Sequence, residues 1–207
     1  MPKGKIGVIL FAASAFLIFV CGGPFPESAP LCSFAYSSEP SGNNGIFPAF
    51  TLPVPKSDAE RAYLGFSGTG PFDVRQIKAQ VLIIEVFGAF CSHCHHAAPY
   101  VNEVYEAIEG RLDLKDQVKI IGVGMRSTPF EVDLFKEKLH VLFPLFADKD
   151  MVIEKLLSID ATPTFIGVKI NKDGSQERFY FRRGPFENAS QFLSEIIRLS
   201  GIAQEAK

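Results

Sequence analysis

The sequence predicts an α/β fold with a central mixed sheet, flanking helices and a closing hairpin plus helix, on three observations. VLIIEVF at 81–87 and QVKIIGVGM at 117–125 are continuous apolar runs rich in β-branched residues, the pattern of strands buried on both faces of a sheet. Segments with helical spacing alternate with these runs, and that alternation calls for parallel strands. Towards the C-terminus two strand-like runs are separated only by a turn at NKDG, too short for anything but an antiparallel pair.

The elements follow in order. Residues 1–23, MPKGKIGVILFAASAFLIFVCGG, carry Lys3 and Lys5 and then an uncharged apolar run from Ile6 to Val20, the layout of an export signal or, if retained, of an N-terminal membrane anchor. Residues 24–45 are rich in Pro, Ser, Gly and Asn without any period, and read as a flexible tether. The globular part is expected over 46–202, with a short tail at 203–207. It opens on an extended segment, IFPAFTLPVP, followed by a polar connection through SGTGPFDVRQIKAQ to the first buried strand.

After that strand, HHAAPYVNEVYEAIEGRL places Val101, Val104, Tyr105 and Ile108 on one helical face, with Gly110 as the stop. The second buried strand comes next. TPFEVDLFKEKLH then opens a helix, with Thr128 to cap it, Pro129 at its first position and Glu131 in its first turn. PLFAD is a short third strand and DMVIEKLLSI a short helix. PTFIGVKINKDGSQERFYFRRG forms the hairpin, and FENASQFLSEIIRLSG is an amphipathic closing helix.

At 207 residues and 47% apolar, the chain has enough material for one well-packed domain and an appendage. A formal charge of -2 leaves no broad basic field, which argues against nucleic acid as a partner.

The chemistry concentrates where the first buried strand ends. FGAFCSHCHHAAP holds Cys91, Cys94, His93, His95 and His96. CSHC is a C-x-x-C dithiol pattern, and CSHCH equally matches the C-x-x-C-H of c-type haem attachment. A thiol at a helix N-terminus meets the positive end of the helix dipole and free N–H groups, which favour thiolate. Glu85, six residues before Cys91 in an apolar strand, is costly there unless it has a partner or a task. Pro163 stands in DATPTF, just before the first hairpin strand.

On these residues the segment resembles the active site of the thioredoxin superfamily. The resemblance implies a thioredoxin-like fold and makes Cys91 the attacking thiolate, Cys94 the resolving thiol and the two together a redox-active disulfide. It makes Glu85 the group that shuttles the proton of Cys94. It also makes Pro163 a cis proline that, with Thr162 before it, pairs with substrate. The spacing from Cys94 to Pro163 and the segment FPAFTLPVP resemble the membrane-tethered TlpA and ResA type of redoxin, while the His93 of CSHC resembles the CPHC and CGHC sites of oxidising disulfide donors. An imidazole at His93 would stabilise the reduced form and tune the potential upward. The resemblance spans about residues 46–200.

The implied function is an exported thiol-disulfide oxidoreductase, placed in the bacterial periplasm and tethered to the membrane if the N-terminus is retained or lipidated. Its expected partners are cysteine-containing exported proteins and a membrane or periplasmic redox partner, and its expected cofactor is none beyond the disulfide. Cys21, at the end of the apolar run, resembles the lipidated cysteine of bacterial lipoproteins, although Val20 stands where that family has a small residue; part of a discarded signal is the other reading. Cys32 has no local partner.

Three rival readings remain at this level. Haem attachment would use Cys91, Cys94 and His95, but neither the buried strand nor Glu85 and Pro163 serve it. A copper or zinc carrier would add His93, His95 or His96 to the cysteines. On a helix, however, His95 and His96 point about 100° apart, and both are expected on its polar surface. No metal ligand is therefore assigned. A peroxidase of redoxin type would resemble PxxxTxxC before the reactive cysteine, where this chain has Ile84 and Gly88.

Overall fold

A computed structural model describes residues 45–202. The expectations placed on 1–44 and 203–207, including those for Cys21 and Cys32, lie outside the described residues. The frame is a five-stranded mixed sheet ordered β5-β4-β3-β6-β7. Its strands are β3 (Val81–Phe87), β4 (Val118–Met125), β5 (Leu145–Asp148), β6 (Thr164–Ile170) and β7 (Gln176–Arg183). β3, β4 and β5 run parallel, while β6 is antiparallel to both β3 and β7.

β3 is central, and all seven of its residues are buried. The twofold alternation of a strand sends them into two cores. Val81, Ile83 and Phe87 join the core formed with α2 (Ser92–Glu109), α3 (Pro129–Lys138) and α5 (Ala189–Ser200). Leu82, Ile84 and Val86 join the opposite core. That second core is closed by α4 (Val152–Leu157) and by the N-terminal part of the domain, where β1 (Thr51–Leu52) pairs antiparallel with β2 (Phe72–Asp73). With both faces covered, the uninterrupted apolar run is the expected composition for this strand.

α3 begins as the sequence indicates. Thr128 accepts the N–H of Glu131 and the Glu131 carboxylate accepts the N–H of Thr128, a reciprocal capping box. α2 starts at Ser92, which puts the cysteines at the helix start as the sequence indicates: Cys91 is its N-cap and Cys94 lies within its first turn. Gly110 follows its last residue, and Pro99 sits inside it. α1 (Asp58–Leu64) and a 3-10 turn at Val74–Gln76 lie where the sequence suggested only an extended segment and a polar connection. α1 is capped by Ser57, whose side chain accepts from Glu60 N–H, and stopped by Gly65 at φ 65°, a left-handed position suited to glycine.

Candidate active site

The sheet register assembles the site. β3 and β6 pair antiparallel with Val86 opposite Thr164, so the segment leaving β3 at Gly88 meets the segment entering β6 at Thr162 and Pro163. The Thr162–Pro163 peptide bond is cis. The Cys91 Sγ lies 3.4 Å from the Thr162 carbonyl oxygen. Gly88 suits this close approach: a Cβ there would sit 3.3 Å from the Cys91 Cβ, a tight contact, and 3.5 Å from the Thr162 Oγ1. A threonine at 88, as the peroxidase pattern has, would push against the cysteine.

Both cysteines are free thiols, Cys91 partly exposed and Cys94 fully buried. Gly88 donates its N–H towards the Cys94 Sγ at 3.5 Å and accepts the N–H of Cys91 at 3.0 Å, a tight turn that ties the two cysteines to the strand end. Their acidities are driven apart. Partial burial pushes the Cys91 thiol up, but hydrogen bonds from the Thr162 side chain, from the Cys94 thiol and from the backbone N–H groups of Cys94 and His93 outweigh it, so Cys91 ends below its ordinary value. Burial pushes the Cys94 thiol well up, helped by its bond to Cys91 and by the charge of Glu85. Thiolate therefore forms first at the more accessible sulfur.

Glu85 is 1% exposed. Strand alternation puts it on the face of Val81, Ile83 and Phe87, the side that α2 covers. Its Oε1 has no hydrogen-bond partner. Burial, with a contribution from Cys91, pushes its carboxyl up to about 8. A buried carboxyl that titrates near neutrality next to a thiol that resists ionisation is a proton donor and acceptor in waiting.

The histidines separate. His93 and His96 are exposed, and His96 Nε2 lies 3.5 Å from Glu187. His95 corrects the expectation of a surface residue. Its ring, one turn into α2, folds back so that Nε2 meets the Ala89 carbonyl oxygen at 2.8 Å while the ring packs edge-on against Phe135. Nε2 must carry the proton, since a carbonyl only accepts. Among the described residues no three His, Cys, Asp or Glu side chains come together in a metal-holding group, and no helix is long and apolar enough to cross a membrane.

Sequence reasoning also missed Ser127, buried at the end of β4, whose Oγ accepts the Ala89 N–H at 3.3 Å. A lone serine in a loop gives no periodic signal, and only the parallel pairing of β3 with β4 brings it to Ala89.

A mixed sheet of this order, with a cysteine pair on the first turn of the helix after its central strand and a cis proline facing it, defines a thioredoxin-like domain of the redoxin class. The AhpC/TSA family model matches residues 45–179, and the chain belongs to that family. Among curated proteins it is similar to the thiol-disulfide oxidoreductase ResA of Geobacillus thermodenitrificans, 24% identical over 115 residues, 56% of this chain and 62% of that protein. ResA of Bacillus thuringiensis subsp. konkukian is 26% identical over 124 residues, 60% of this chain and 68% of that protein. The aligned stretch thus spans less than two thirds of the Geobacillus relative. Among solved structures, StoA of Bacillus subtilis superposes with a TM-score of 0.52 at 20% identity, covering 72% of this chain and 96% of StoA. A secreted Mycobacterium tuberculosis disulfide oxidoreductase, described as homologous to DsbE of E. coli, gives 0.51 at 18% identity, with 72% and 96% covered. The domain is a TlpA/ResA-like redoxin.

Proposed function

We propose that the protein is an exported thiol-disulfide oxidoreductase that cycles Cys91 and Cys94 between dithiol and disulfide. The observation that carries this reading is the split between the two sulfurs: an accessible Cys91 held towards thiolate at a helix start, and a buried Cys94 held as thiol near Glu85. In the reducing direction the Cys91 thiolate attacks one sulfur of a substrate disulfide, forming a mixed disulfide and expelling one substrate thiolate. Cys94 then passes its proton towards Glu85 and attacks the Cys91 sulfur. That breaks the mixed disulfide, releases the second substrate thiolate and leaves Cys91 and Cys94 joined. Oxidation of a substrate dithiol is the same sequence reversed.

Thr162 and Pro163 face Cys91 and serve as the edge against which the substrate backbone lies. His93 tunes the couple. Partners are cysteine-containing exported proteins and a redox partner in the periplasm or its membrane, and the disulfide is the redox group; the thiol-disulfide exchange itself is in keeping with the named activity of the ResA relatives. The haem alternative loses support because His95 Nε2, the atom an iron would take, is engaged with Ala89. The peroxidase alternative lacks a side chain at Gly88.

The test is exchange with a model protein disulfide. Cys91→Ala in the full chain is expected to abolish it, and Cys94→Ser to accumulate the mixed disulfide. Exchange retained by Cys91→Ala overturns the proposal.

A further inference from the structure

His95 supplied the haem-like pattern of the sequence, and the dithiol mechanism leaves it without a task. Its position gives it one. Ala89 is buried, so both of its backbone polar groups need partners. The carbonyl takes the Nε2–H of His95 at 2.8 Å, and the N–H goes to the Ser127 Oγ at 3.3 Å, which itself donates to the Met125 carbonyl at 3.0 Å. The two grips come from different elements, α2 and the end of β4. Neither is loose: the His95 ring packs against Phe135, which stacks on Phe87 of β3 at 4.4 Å between ring centroids, and Ser127 is 3% exposed.

The pinned residue sits inside the turn that carries the chemistry. Gly88, one residue earlier, contacts the Cys94 sulfur through its N–H and accepts the Cys91 N–H; Cys91 lies two residues later. Fixing the peptides on both sides of Ala89 fixes that turn, and with it the position of Cys91 against Thr162 and against the N–H groups of the first turn of α2. We propose that His95 and Ser127 are positioning residues that clamp Ala89 from two sides and so hold Cys91 where its thiolate is stabilised. This deepens, and rests on, the assignment of Cys91 as the attacking sulfur.

The experiment is the pH profile of iodoacetamide alkylation at Cys91 in the reduced full chain, mapped by peptide mass. The neighbours that titrate around Cys91, Cys94 on α2 and Glu85 on β3, stay in place in every variant, as does His93. His95→Phe keeps the ring packing and loses the donor; His95→Gln keeps a donor of similar reach. The alkylation rate of His95→Phe below neutral pH is expected to fall about threefold or more, a half-unit upward shift of the profile, while His95→Gln stays within about 1.5-fold of the parent. Ser127→Ala is expected to shift the profile in the same direction.

A His95→Phe profile that superimposes on the parent, or a His95→Gln profile displaced as far as that of His95→Phe, overturns the clamp. Should His95→Phe fail to fold, Ser127→Ala decides, and its unshifted profile overturns the clamp equally. Alkylation needs no disulfide substrate. A chain that fails to exchange disulfides yet shows the shift therefore refutes the proposed function and leaves the clamp standing.

Discussion

The Cys91 sulfur points at the main chain of Thr162, 71 positions away in sequence, with Sγ 3.4 Å from the carbonyl oxygen. The antiparallel register of β3 with β6 makes the contact, since Val86 opposite Thr164 leaves the two flanking segments face to face. The Thr162 side chain is also the first of the hydrogen-bonding groups that favour the Cys91 thiolate. Thr162→Val keeps the shape and removes the hydroxyl. Its alkylation profile at Cys91 is expected to move to higher pH by about half a unit to one unit, and an unmoved profile shows that the hydroxyl contributes nothing.

Glu85 makes a prediction about stability. Its folded-state carboxyl titrates near 8, above the ordinary carboxylate range, so between those limits the native chain holds a proton that the unfolded chain has lost. Stability therefore falls as pH rises from about 5 to 8, by on the order of 3 kcal/mol from this group. Glu85→Gln is expected to flatten that part of the profile and to be more stable than the parent at pH 8, read by urea denaturation across pH. Parallel profiles for the two chains would remove Glu85 as a buried acid.

The same substitution separates the two chemical steps. Attack by Cys91 on a substrate disulfide needs no proton from Cys94, whereas resolution does. Stopped-flow traces of Glu85→Gln are expected to show formation of the mixed disulfide at near-parent rate and its resolution slowed by about 100-fold. Equal rates in both phases would take the proton transfer away from Glu85.

His93 touches the Cys91 thiolate through its main chain as well as through any effect of its ring, because its backbone N–H is one of the favouring groups. His93→Pro removes both, at the second position of α2, where proline is sterically tolerated. The reduction potential is expected to fall by about 30 mV or more, a tenfold change in equilibrium constant, with His93→Ala falling less. An unchanged potential in His93→Pro removes His93 from tuning.

Packing around the site leaves little room for an added atom on the strand beside Glu85. Gly122 of β4 pairs with Glu85, and a Cβ there would collide with Leu145 and crowd Phe87. Gly122→Ala is expected to cost about 1–3 kcal/mol in denaturant unfolding; a smaller loss would mean that Leu145 yields freely.

Much of this was legible in the sequence, for reasons that differ by element. β3 and β4 were legible because burial on both faces demands an unbroken apolar run, and α3 because Thr128, Pro129 and Glu131 form a complete start signal. α1 has an equally good cap in Ser57 and stop in Gly65, but its seven residues are too short to display a period and bury only Leu64. β1 and β2 have two residues each, with nothing to alternate. At the site, Cys91, Cys94 and Glu85 stand on one continuous stretch whose spacing carries the pattern. The inward turn of His95 and the grip of Ser127 depend instead on the ring of His95 folding back onto the Ala89 carbonyl and on β4 lying beside β3, neither of which a motif records.

The central claim is that Cys91 and Cys94 form one reversible redox couple. The direct measurement is an equilibrium titration of the full chain against reduced and oxidised glutathione, with the state of the peptide carrying both cysteines read by mass-shift labelling. A single two-electron transition between dithiol and intramolecular disulfide, lost in Cys91→Ser, is the predicted result. Cysteines that stay as thiols, or that end only as separate glutathione adducts at every ratio, would contradict it.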